Sequence, residues 1–152
     1  MDDVCKNYTI LDDPKRNSNH SGSDANPDCD RDDRNQKWGD SNTWYRFVEP
    51  AGTTIATSIV PENYCGTDAP GWLKGDHPVT LGEMVTREVC FHWDSDPCQW
   101  SVDVRIKKCD GFFVYKLPSV PQCSLKYCGQ ALEGESLINL FIEVILPSKN
   151  GR

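Results

Sequence analysis

This chain of 152 residues contains no Cys-x-x-Cys pair and no two histidines three to five residues apart. The spacings by which a cytosolic protein holds zinc or a redox dithiol are therefore missing. Only three histidines occur, His20, His77 and His92, and there is no Gly-x-Ser-x-Gly elbow to expose a nucleophilic serine. Excess basic charge is also absent: the formal net charge is −7, which disfavours nucleic acid and anionic membrane surfaces as partners. No run approaches the ~18 apolar residues of a membrane span. Met1-Asp2-Asp3-Val4 is acidic where a secretory signal is basic, and no apolar stretch follows it. A secreted protein with this sequence is expected to be a mature form or a fragment.

What the chain does have is cysteine. Eight are present: Cys5, Cys29, Cys65, Cys90, Cys98, Cys109, Cys123 and Cys128. With no metal or redox spacing to use them, the expectation is four disulfides in an oxidising compartment, hence an extracellular protein with no cofactor. Eight half-cystines allow about 105 pairings, and composition selects none of them. Asn7-Tyr8-Thr9 and Asn19-His20-Ser21 are acceptor tripeptides for N-glycosylation, which fits the same compartment, whereas Asn26 is followed by Pro27 and is excluded.

Along the chain, residues 12 to 42 are polar and loop-like. Such a stretch cannot bury enough apolar surface to fold alone, so Cys29 is expected to tether it. From Trp44 the character becomes β-favouring. Trp44 to Val48 reads as a strand ended by the Glu49-Pro50-Ala51-Gly52 turn, and Thr53 to Val60 as a second strand stopped by Pro61. Glu83 to Cys90 alternates, with Met84 or Val85 and Val89 inward. In Trp100 to Ile106 the residues Trp100, Val102, Val104 and Ile106 face one way, and Ser101, Asp103 and Arg105 the other. Gly111 to Leu117 is a further strand closed by Pro118. Cys65 to Pro78 carries Gly66, Pro70, Gly71, Gly75 and Pro78, and is expected to be a chain of turns outside any sheet ladder. No amphipathic helix is predicted before residue 129. The expected fold is all-β: a small disulfide-rich antiparallel sheet or sandwich with long irregular loops. Leu137 to Leu146 is apolar, with Asn139 and Glu143 on one helical face, so strand and helix both remain open there.

Candidate chemistry is sparse. Asp28-Cys29-Asp30-Arg31-Asp32-Asp33 has the first acids of a calcium loop. Asp33 stands where the loop needs glycine and Gly39 where it needs glutamate, so a solvated loop is the expectation and a calcium-stabilised adhesion module the alternative. Glu83 and Glu88 lie in a strand-like segment and are expected to face solvent, and His92 to be a packed or surface histidine. Trp38, Trp44, Trp72, Trp93 and Trp100 could stack on pyranose rings as a lectin-like surface, but tryptophan in a small β domain more often fills core. No catalytic constellation emerges, and an enzyme is not expected.

The ordered blocks carry a resemblance. Cys5-Lys6-Asn7-Tyr8-Thr9-Ile10-Leu11-Asp12-Asp13-Pro14, Trp44-Tyr45-Arg46-Phe47 and Pro50-Ala51-Gly52-Thr53 are followed by Val60-Pro61-Glu62 and by the segment Cys65 to Pro78. Val85-Thr86-Arg87-Glu88-Val89-Cys90, Cys98-Gln99-Trp100, Cys109 to Leu117, Pro121-Gln122-Cys123 and Tyr127-Cys128 complete the series. Together they resemble the eight-cysteine domain of the uromodulin, pancreatic zymogen-granule membrane glycoprotein and liver-specific zona-pellucida-type family. The resemblance implies a division into leader residues 1–4, the domain at 5–128 and a C-terminal extension at 129–152. It further implies a non-enzymatic recognition or scaffold module of a secreted or cell-surface glycoprotein, in which a mannose-rich glycan serves as a decoy for microbial fimbrial adhesins. The family's acceptor asparagine directly follows the aromatic block; Lys116-Leu117-Pro118 stands here instead. Glycan presentation would therefore pass to Asn7 and Asn19. Some relatives also carry two further cysteines where this chain has Ile59 and Pro97, and those two are expected to be bridged in them.

Overall fold

A computed structural model describes residues 3–23, 29–31 and 38–131. Its strands are β1 (Thr9–Leu11), β2 (Tyr45–Phe47), β3 (Thr54–Ile55), β4 (Ala69–Lys74), β5 (Met84–Trp93), β6 (Asp96–Lys108), β7 (Phe113–Lys116), β8 (Leu125–Tyr127) and β9 (Gly129–Gln130). The one helical element among the described residues is a 3₁₀ turn at Pro14–Arg16, whose N-cap Asp13 accepts from the Lys15 N–H. The apolar strip Leu137 to Leu146, and Asp28, Asp32 and Asp33 of the acidic run, lie outside the described residues.

The frame is the long β5–β6 hairpin. Asp94 and Ser95 both take positive φ at its tip, the backbone that a two-residue hairpin turn requires. Alternation on β6 is as expected from the sequence: Ser101, Asp103 and Arg105 are exposed, while Val104 and Ile106 are buried and Trp100 and Val102 pack against the core. On β5 the inward residue is Val85 rather than Met84, which is 38% exposed.

Around the hairpin the sheet runs β1-β2-β7-β6-β5-β4-β8, and β3 pairs with β9 in a second small ladder. The chain is all-β, and its main sheet is mixed, because β1–β2 and β4–β8 are parallel. Thr53 to Val60 supplies only the two residues of β3. Beyond them Ala56 still bonds to both flanks, donating to Cys128 O and accepting from the Leu73 N–H.

One expectation fails. The Gly- and Pro-rich stretch from Cys65 to Pro78 does enter the ladder, as β4, between β5 and β8. Its register with β5 begins at Gly71, so the N–H that Pro70 lacks is not needed there. Gly71 is itself required: a Cβ at this position would meet the Phe91 ring at 2.7 Å. The residues that suggested turns instead let a strand pass close beneath an aromatic side chain.

The main core gathers Tyr45, Phe47, Leu73, Val89, Phe91, Val104, Ile106, Tyr115 and Tyr127. Aromatic edges lock it, with Phe47 on Tyr115 at 5.4 Å and Phe91 on Tyr127 at 5.6 Å.

Candidate functional site

All eight cysteines are paired: Cys5–Cys109, Cys29–Cys123, Cys65–Cys128 and Cys90–Cys98. Their Cα separations of 5.7, 5.4, 5.9 and 4.6 Å lie within the range a disulfide spans. Cys29–Cys123 does tether the polar N-terminal stretch, but it has help. Asp30, expected in a solvated loop, is fully buried, and both its carboxylate oxygens bond Arg16, at 2.7 and 3.1 Å. It also accepts the Tyr127 N–H at 2.8 Å. This carboxylate already has three protein donors, so it is committed to the interior rather than open to a cation. A polar composition hid the burial, because a charge that is paired and hydrogen-bonded looks the same in sequence as a solvated one.

Glu88 stands beside Cys90 and Cys98, its carboxylate 3.3 Å from one sulfur and 3.8 Å from the other. Three potential ligands meet here. Both sulfurs are spent in a disulfide and cannot serve as thiolates, so the cluster lacks the chemistry of a metal centre. Glu83 is exposed and Glu88 is half-buried. His92 is a packed histidine, its Nδ1 2.8 Å from Val60 O.

The titratable pair that the sequence did not suggest is His77 and Tyr115. The hydroxyl of Tyr115 accepts the Ile55 N–H at 3.1 Å and is hydrogen-bonded to His77 Nε2 at 2.7 Å. Burial lowers the His77 pKa to about 4, with Lys108 and Arg87 reinforcing the effect and Asp76 opposing it. Burial also raises the Tyr115 pKa. Each shift holds its group neutral, which suits a fixed internal hydrogen bond.

Of the tryptophans, Trp38 and Trp44 are buried. Trp38 stacks on Tyr45 at 4.3 Å and donates to Leu117 O at 2.8 Å. Trp44 packs near the Cys5–Cys109 bridge with Val114. Trp72, Trp93 and Trp100 are half-buried, and Trp72 donates to Pro97 O at 2.8 Å. Two of the five are therefore buried, and the other three pack against the core clusters.

The two acceptor asparagines are placed differently from all of these, because Asn7 and Asn19 are both exposed. Asn7 sits in the turn between Cys5 and β1, its N–H on Asp3 O, at the rim of an open recess with Lys6, Asn42 and Thr43. Asn19 sits in the turn after the 3₁₀ element, and the following His20 accepts the Cys65 N–H at 2.9 Å. Asn7 thus lies two residues from one disulfide, and Asn19 next to a residue bonded to a cysteine of another. Lys116, where the resemblance would place an acceptor, is half-buried at the end of β7 beside Asp103 and Arg105.

A family model described as a uromodulin-like domain matches residues 45–129. The chain is similar to the pancreatic secretory granule membrane major glycoprotein GP2 of Canis lupus familiaris, with 42% identity over 131 residues, 85% of this chain and 24% of that protein. The human GP2 is 38% identical over 128 residues, covering 83% of this chain and 22% of its own length. Uromodulin of Rattus norvegicus is 36% identical over 127 residues, 83% of this chain and 18% of that protein. The chain spans less than a quarter of the length of these relatives.

Proposed function

Since this chain belongs to the family of uromodulin-like domains, we propose that it is a non-enzymatic extracellular module that presents N-linked glycans at Asn7 and Asn19 to carbohydrate-binding partners. Microbial adhesins are the class of partner that the family points to. The functional unit is residues 5–128, the span of the cysteine framework. The observation that carries the reading is the exposure of both acceptor asparagines in a chain whose eight cysteines are all oxidised. A relative named as a glycoprotein fits the same reading. The family's usual acceptor position is Lys116, so presentation here has to use other ground.

The test is binding of a mannose-specific fimbrial adhesin to the chain secreted from glycosylating cells, beside Asn7→Gln, Asn19→Gln and the double variant. Presentation predicts that the double variant loses binding and that enzymatic removal of the glycans does the same. Binding retained without glycan would place the adhesin's target on the protein surface and contradict the reading.

A further inference from the structure

The two margins of the main sheet are finished differently. At one, β8 is capped: Leu125 and Tyr127 are buried, and the Asp30 N–H donates to Leu125 O at 3.0 Å. At the other, β1 is the terminal strand, and no described strand lies beyond it. Thr9 and Leu11 spend their ladder groups on the β2 side. The Thr9 N–H donates to Trp44 O at 2.7 Å, and Leu11 O accepts the Val48 N–H at 3.0 Å. Along a strand the backbone groups of successive residues point to opposite sides, so the N–H and C=O of Ile10 point away from β2.

An open edge is a template for another strand, and proteins blunt it with charge, proline, a bulge, a covering segment or a short strand. Apart from its shortness, β1 has none of these devices. Its three residues are Thr9, Ile10 and Leu11, their pairing with β2 is unbroken, and the Ile10 side chain is 52% exposed. What stands beside the edge is Asn7. The acceptor tripeptide Asn7-Tyr8-Thr9 runs into the strand itself, so a glycan on Asn7 would leave the chain within about 10 Å of Ile10.

The residues of this edge are complementary to a second copy of themselves. In an antiparallel pair centred on Ile10, the two Ile10 residues exchange N–H and C=O, and their apolar side chains meet on one face. Asp12 of each copy then stands opposite Tyr8 of the other, with Lys6 on its diagonal, and all three are at least partly exposed. Opposite charges in that relation stabilise the pairing. The contact is the same patch on both copies, so it closes at two. Asn7 falls beside the paired stretch, where a glycan and a second strand would compete for the same space. We propose that β1 is a self-association edge through which two copies of this chain pair, and that a glycan on Asn7 closes it. The closing rests on the glycan-bearing reading of Asn7, whereas the edge itself does not. The glycan at this position thereby gains a second role, keeping the module that bears it monomeric.

The test is sedimentation velocity of the full chain secreted from glycosylating cells, after intact-mass measurement has fixed the occupancy of Asn7. The parent carrying glycan at Asn7 is expected to stay monomeric. Asn7→Gln, with Asn19 still available to carry its glycan, is expected to dimerise with a Kd on the order of 100 μM. In that dimer the Ile10 amide should gain protection from hydrogen exchange as concentration rises. Adding Ile10→Lys, which puts a charge on the edge without touching the β2 ladder, should weaken the dimer at least about tenfold. Its thermal midpoint at low concentration should match that of Asn7→Gln, which separates lost pairing from lost fold. A parent that lacks glycan at Asn7 and dimerises through Ile10 would support the edge while removing Asn7 from the presentation reading. Three results would overturn the proposal: Asn7→Gln monomeric throughout, a dimer that leaves the Ile10 amide unprotected or survives Ile10→Lys, or a parent with glycan at Asn7 that dimerises as tightly as the variant.

Discussion

Arg16 and Asp30 form a two-point ion pair in the interior, 2.7 and 3.1 Å between donors and acceptors, across a segment that composition alone assigns to solvent. Asp30 also receives the Tyr127 N–H, and Arg16 Nη1 donates to Tyr127 O at 3.0 Å. The pair thereby joins the N-terminal stretch to β8. Removing one member leaves the other charge buried and alone. Arg16→Ala and Asp30→Ala should each cost about 3–5 kcal/mol, measured by urea unfolding with all disulfides intact. A loss below about 1 kcal/mol would mean that the pair is solvated.

Acid should weaken the fold through His77. Its pKa is about 4 in the folded protein against an ordinary 6.5, so below pH 6.5 the unfolded chain binds the proton that the folded one refuses. Stability from this group is fully present above pH 6.5 and falls progressively as pH drops toward 4. The loss should approach about 3 kcal/mol. His77→Gln, whose amide can either accept from or donate to the Tyr115 hydroxyl, should flatten the stability profile over that interval. Equal slopes in the two proteins would remove His77 as the cause.

The four bridges should not contribute equally. Cys5–Cys109 spans 104 residues and Cys90–Cys98 spans 8. The chain-entropy relation then assigns about 4.7 kcal/mol to the long bridge and about 2.5 kcal/mol to the short one. Paired Cys→Ser replacement should therefore lower the unfolding midpoint more for Cys5 with Cys109 than for Cys90 with Cys98. The reverse order would point to enthalpic or packing control at the hairpin.

Ile59 and Pro97 stand where some relatives are expected to carry a fifth bridge. Three contacts draw the two segments to the same end of the β5–β6 hairpin: His92 Nδ1 to Val60 O at 2.8 Å, the Asp94 N–H to Glu62, and the Trp72 indole N–H to Pro97 O at 2.8 Å. The double variant Ile59→Cys with Pro97→Cys should oxidise to a further intramolecular disulfide without disturbing the other four. Two free thiols in the folded variant would show that these positions do not approach within bonding range.

The legible parts of this molecule were those that depend on local pattern. Period-two alternation located β6 and placed Val89 of β5 inward, because one side of that hairpin meets the core, but it left Met84 and Val85 open. The cysteine count announced a disulfide framework but not its pairing, which depends on which strands become neighbours. The strand at Ala69–Lys74 was hidden, because Pro70 and Gly71 signal turns unless one knows that the β5 register starts at Gly71 and that Phe91 crosses that glycine. Arg16 and Asp30 were hidden for a related reason. Burial of a polar group depends on partners 14 to 111 residues away along the chain, and no window of sequence contains both members.

The central claim is an oxidised extracellular module that bears glycans at Asn7 and Asn19. Its most direct test is non-reducing peptide mapping by mass spectrometry of the chain secreted from glycosylating cells. The account predicts linked peptides Cys5–Cys109, Cys29–Cys123, Cys65–Cys128 and Cys90–Cys98, no free thiol, and N-glycan on the peptides holding Asn7 and Asn19. Free cysteines, other pairings, or both asparagines recovered unmodified would contradict it.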